Sequence, residues 1–129
     1  MESIKDILFD YVRQNYGILP DYPFSTAPDY PVLRNKGSRK WFALIMDVPR
    51  NRLGLCGDSR VDIINLKCSP AMAASLRRQE GILPAYHMHH DNWITVLLDG
   101  TVMPEDIFPL IDISYHLTES PKLQALRKD

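Results

Sequence analysis

The chain predicts an α+β domain, a two-layer fold with an antiparallel sheet and its helices on one face. Three observations carry this. Apolar residues among the first 16 positions recur at helical spacing. β-Type runs at residues 40–48 and 61–68 follow one another with only a turn region between them. A second helical stretch, one or two strands and a third helix then close the order. With 129 residues, 45% of them hydrophobic, the chain fits one domain, residues 1–129, with 118–129 as a C-terminal tail.

The elements follow from local signals. Ile4, Ile7, Leu8, Tyr11 and Val12 form one stripe of a helix over about residues 4–16. Ser3 is its expected N-cap, and Gly17 its stop, with Pro20 beyond. Residues 18–31 hold four prolines, which lack amide donors and fix their own φ, so an extended loop is expected. Its Tyr22, Phe24 and Tyr30 suit packing onto a core. A weak strand at 31–34 precedes a Lys36-Gly37-Ser38 turn. Residues 40–48 are apolar on both faces and read as a central strand. Residues 49–59 read as a connecting turn with a short strand at 52–56, before a strand at 61–68.

Ser69-Pro70 opens a second helix, with Met72, Ala73 and Leu76 buried, Arg77 and Arg78 in its last turn and Gly81 at its end. Residues 93–98 form a strand, followed by the Asp99-Gly100 turn. Ile107, Leu110, Ile111 and Tyr115 mark a third helix, which Pro109 either starts or kinks. A short helix restarts after Pro121. One face of the sheet is left for a partner.

Composition narrows the function classes. No run of 18 apolar residues is present, so no membrane span is expected. Cys56 and Cys68 make neither a disulfide framework nor a zinc site, and two free thiols fit a cytoplasmic protein. The net charge of −1 is unevenly distributed. Residues 1–33 carry two basic and five acidic side chains, residues 34–90 ten and four, and residues 91–129 three and seven. A basic middle on one layer gives a positive face.

No phosphate loop, dinucleotide fingerprint, serine-hydrolase elbow or zinc-protease motif is present, so no catalytic role is expected. Cys68 reads as a small buried residue, although a thiol beside a helix N-terminus with His87 as base is the enzymatic alternative. His87, Met88, His89, His90 and Asp91 read as a polar strand end with exposed imidazoles, His87 and His89 on one face. Too few further ligands are legible for a metal, and none is expected. Glu2, Asp6 and Asp10 form an ordinary solvated ridge. No cofactor is expected.

Several short motifs carry a family likeness: KWFALI at 40–45, LKCSP at 66–70, PAYHM at 84–88, WITVLLDG at 93–100 and LIDISY at 110–115. In this order and spacing they resemble the MmcQ/YjbR family over about residues 1–118. The resemblance implies a CyaY-like α+β fold, related in shape to the frataxins. It also implies DNA binding through a double wing of β-hairpins.

Phosphate contacts require cations that displace condensed counterions. The candidates are Arg34, Lys36, Arg39 and Lys40 around the first turn, Arg50, Arg52 and Arg60 around the second, and Lys67 at a strand end. His87 and Trp93 join Lys40 and Lys67 as a possible donor-and-platform group at strand boundaries. Weak, non-specific DNA binding by a monomer is the expectation. A protein-interaction or small-anion-binding module is the alternative.

Overall fold

The computed structural model describes residues 2–27 and 29–127, for Arg127 the backbone alone. Helix α1 (Ile4–Tyr16) starts where the Ser3 side chain accepts the Asp6 amide (3.1 Å). It ends at Gly17, whose φ of 66° is a left-handed conformation that a side chain would strain. Strands β1 (Val32–Arg34), β2 (Trp41–Pro49), β3 (Arg60–Lys67), β4 (Ile82–Pro84) and β5 (Trp93–Leu97) form one sheet in the order β1-β2-β3-β5-β4. Every neighbouring pair is antiparallel. Helix α2 (Pro70–Leu76) follows β3, α3 (Pro104–Leu117) follows β5, and α4 (Pro121–Arg127) closes the order.

Helices α1 and α3 lie side by side on the sheet. Tyr11 stacks on Phe108 at 4.1 Å and Tyr16 on Tyr115 at 4.0 Å, so the two helices run in the same direction. Leu8, Val12, Ile107 and Ile111 meet Phe42, Ile45, Ile64 and Ile94 in a fully enclosed core. The Asp112 carboxylate accepts hydrogen bonds from the Tyr11 and Tyr16 hydroxyls (2.7 and 2.6 Å). Burial, then these bonds to a carboxylate, push the Tyr11 phenol up to about 12 and raise that of Tyr16 as well. Ser114 ties α3 to the sheet: its hydroxyl donates to the Phe42 carbonyl and accepts the Lys67 amide (2.8 Å).

Four local expectations change. Residues 50–53 form a 3-10 turn instead of the start of a strand at 52–56, because Gly54 at φ 78° closes a turn. Helix α2 stops at Leu76, so Arg77 and Arg78 lie in the turn beyond it. Helix α3 starts at Pro104, five residues before Pro109. Pro109 therefore lies inside the helix on its exposed side, where it removes the amide that would bond to the Glu105 carbonyl. His87 to His90 lie in a loop instead of a strand, because β4 ends at Pro84.

The second face of the sheet is also less open than expected. Val32, Leu44, Met46, Val48, Val61, Ile63 and Leu97 form a second core there. Phe24 and Tyr30 of the proline-rich loop, Leu53 and Leu55 of the second turn, and Tyr86 fold over it. Tyr22 stays 52% exposed. Among the described residues no helix is long and apolar enough to cross a membrane.

Candidate nucleic-acid interface

Antiparallel pairing sorts the candidate cations into two groups. Strands β1, β3 and β4 end, and β2 and β5 begin, at one end of the sheet. That end carries Arg34, Lys36, Arg39, Lys40, Lys67, His87 and Trp93. Arg50 and Arg60 belong to the opposite end, across the nine residues of β2, or roughly 30 Å of strand, while Arg52 of the same turn reaches back toward His87. The two basic turns are therefore not neighbouring wings.

Ion pairing divides the cations within each group. Arg50 faces Asp99 at 3.4 Å, and Arg60 faces Asp47 at 3.1 Å. Arg60 also offsets the Asp47–Asp62 cross-strand pair of like charges. Burial alone would raise the Asp99 carboxyl, but the Thr101 hydroxyl and amide and the Arg50 guanidinium hold it below the ordinary carboxylate range. At the other end Arg34 faces Asp21 at 2.9 Å. Lys36, Arg39, Lys40, Lys67 and Arg52 have no ion-pair partner among the described residues.

The first turn is rigidly built. Buried Asn35 accepts the Gly37 amide (3.1 Å) and donates to the Tyr115 carbonyl (3.0 Å). The Ser38 hydroxyl donates to the Thr118 carbonyl. The turn is thus clamped to the C-terminal end of α3. Arg39 closes it at φ 65°, a left-handed conformation in which the Cβ of an L-residue crowds the following carbonyl oxygen. Arg34, Lys36 and Arg39 converge with Asp21 on a cavity of about 200 Å³ beside Gly17. The Lys36 ammonium lies against Gly17, where the carbonyl end of α1 favours a cation.

Next to this cavity lies a groove of about 500 Å³ on the second face. Trp41, Leu44 and Met46 of β2 floor it. Phe24 and Tyr30 wall one side, His87 and Met88 the other. Strict alternation would put Trp41 on the face of Ala43 and Ile45, under the helices. An irregularity in the β1–β2 register, which skips Phe42, turns Trp41 to the other face. Arg34 joins the two sites: its guanidinium sits 5.8 Å from the Trp41 ring centre.

The far wall is held from below. The Asn65 amide donates to the Tyr86 carbonyl (2.9 Å), Thr95 accepts the Tyr86 amide (2.8 Å), and the Thr95 hydroxyl donates to Asn65. His87 then stands at φ 60°. Arg39 and His87 are the two non-glycine residues at positive φ among the described residues, and each lines one of these sites. Such conformations persist where the surroundings impose them and concentrate at functional positions. Arg52 leans over the same face, lining a further cavity with His87 and His90.

Other candidates are not gathered here. Lys67 and Trp93 are register partners at the Arg39 end but do not line the groove, so Trp41 takes the place foreseen for Trp93. Cys68 is buried, and burial pushes its thiol up against a weaker lowering by Arg77, the opposite of an activated nucleophile. His89 and His116 are separated by local bonds, to the Asp91 amide and the Glu119 carboxylate. Among the described residues no group of three or more His, Cys, Asp or Glu side chains is placed to hold a metal ion. Phe24 and Tyr30 were legible only as core formers, Trp41 only as part of a central strand, and Met88 only as a member of the histidine cluster.

Comparison with known proteins agrees on one lineage. The chain is 43% identical over 115 residues to the "uncharacterized protein YyaQ" of Bacillus subtilis (strain 168), covering 89% of this chain and 98% of that one. It is 40% identical over 53 residues to the "uncharacterized protein YjbR" of Escherichia coli (strain K12), covering 40% and 45% of the two chains. A crystal structure of a Pseudomonas syringae protein superposes with a TM-score of 0.86 at 44% identity, over 92% of this chain and all of that one. A Deinococcus radiodurans protein matches at 0.68 and 25%, over 95% and 82%. The YjbR family model matches residues 14–117, and the chain belongs to the YjbR family.

Proposed function

We propose that this chain is a non-catalytic DNA-binding protein that grips phosphates at one end of its sheet, weakly and without reading base edges. The observation that carries this is the placement of Lys36 and Arg39, without ion-pair partners among the described residues, on one cavity in a turn clamped to α3, with Arg34 beside them held by Asp21. A rigid turn presents its cations without an ordering cost at binding. Lys40 and Lys67 extend the same end. The proposal shifts the contact from two wings to one turn, because Arg50 and Arg60 are already tied to carboxylates.

Binding of a labelled DNA duplex and single strand at two salt concentrations tests it. With about three phosphates contacted, duplex affinity falls about 40-fold between about 50 and 200 mM salt. Arg39→Gly keeps the left-handed backbone and lowers the salt slope by about one contact. Affinity that ignores salt for both forms of DNA overturns the reading. The small volume of the cavity also favours a second reading, a module for a free phosphate-sized anion. Saturable binding of inorganic phosphate without any DNA binding is its signature.

A further inference from the structure

We infer that the groove beside the phosphate cavity receives one unpaired base, so that the preferred ligand is single-stranded DNA. This rests on the phosphate reading above and adds what the neighbouring groove does. Arg34 links the two sites. Its guanidinium lines the cavity and also lies over Trp41, the aromatic floor of the groove. A strand whose phosphate sits against Lys36 and Arg39 therefore has its base next to an aromatic surface.

The lining fits a base ring more closely than a charged partner. Trp41, Phe24 and Tyr30 offer aromatic surface, and Met46 and Met88 offer polarisable thioethers. Among the described residues the lining holds no Asp, Glu, Lys or Arg side chain, and the exposed His87 supplies an imidazole. A volume of about 500 Å³ lies within the range of small-ligand sites. The wall is fixed by the Asn65–Thr95–Tyr86 bonds, while His87 and Met88 are free of them and border the opening. Bases in a duplex present only their edges, whereas an aromatic groove binds a ring face, so the base must be unpaired.

The test compares three DNA probes on the intact chain at one salt concentration: an oligothymidine strand, an abasic strand of equal length, and a duplex. The oligothymidine binds about tenfold more tightly than the abasic strand, the contribution of a single stacked base. Met88→Trp fills the groove and brings oligothymidine affinity down to that of the abasic strand. Its thermal midpoint and abasic-strand affinity, unchanged from the parent, show that the fold and phosphate cavity are intact. His87→Gly, which suits the left-handed backbone, is the second rim variant and weakens oligothymidine alone. Equal affinity for oligothymidine and abasic strands, with salt dependence preserved, overturns the base site and leaves the phosphate reading standing. Salt-independent or absent binding of all three probes overturns both.

Discussion

The two basic turns look equivalent in sequence but keep different shares of their cations unpaired among the described residues, with Arg34 paired at the first and Arg52 unpaired at the second. The turn before β2 brings Lys36, Arg39 and Lys40 to the sheet end without ion-pair partners among the described residues. The turn after β2 ties Arg50 to Asp99 and Arg60 to Asp47. Cation count is thus a poor guide to a phosphate surface. What matters is whether a carboxylate already occupies the guanidinium, since DNA must then replace a partner instead of water. Exposed pairs of this kind add little to stability, yet they reduce the positive potential that a phosphate meets.

The strongest way to break this comparison is to neutralise each turn in turn. Lys36→Gln with Arg39→Gln lowers DNA affinity by at least about tenfold at low salt, since two counterion-releasing contacts go. Arg50→Gln with Arg60→Gln changes it by less than about threefold, because their charge is already offset by Asp99 and Asp47. Equal losses at the two turns, measured by fluorescence anisotropy, would restore the two-wing arrangement and defeat the single-turn one.

A second contrast concerns rigidity. Asn35 is buried and joins the first turn to α3 through the Gly37 amide and the Tyr115 carbonyl. Asn51 in the second turn is exposed. Asn35→Ala is expected to lower stability by about 1–3 kcal/mol, the penalty for disturbing buried hydrogen-bonding groups. Asn51→Ala should stay within about 0.5 kcal/mol of the parent. Urea unfolding measures both. Similar midpoints for the two variants would mean that the first turn is no better anchored than the second.

Much of the scaffold was legible because its signals are local. Ser3, Gly17 and the Ile4-to-Val12 stripe define α1, and Ser69-Pro70 opens α2, from residues a few positions apart. The site was less legible because it depends on distant partners. Asp21 reaches Arg34 across 13 positions, and Asp99 reaches Arg50 across 49, so no window of sequence shows which cations are occupied. The skipped pairing at Phe42 reverses the face of Trp41, which alternation assigns to the helix side. Strand β4 has three residues and ends in Pro84, too short a run to separate from the loop that follows. The chemistry-bearing residue types of 84–90 were visible, but their loop geometry, with His87 at positive φ, was not.

The gentlest probe of the comparison is the pH dependence of the Arg50–Asp99 pair. Against the opposing effect of burial, the Thr101 hydroxyl and amide, and after them Arg50, hold the folded Asp99 carboxyl below its ordinary range, so these bonds and the pair together stabilise the fold when Asp99 is charged. That contribution is fully present above the unfolded carboxylate pKa of about 4 and disappears as pH falls through the lower folded value. Asp99→Asn removes it. The parent should therefore melt at a slightly higher temperature than Asp99→Asn at pH 6, and the gap should close as the pH is lowered past about 4. Added salt should narrow the gap at pH 6, since the pair is partly exposed. A gap that persists unchanged at low pH would show that the Thr101 bonds shape the turn regardless of charge. Arg50 would then be free to meet a phosphate after all, and the distinction between the two turns would rest on Asn35 and Arg39 alone.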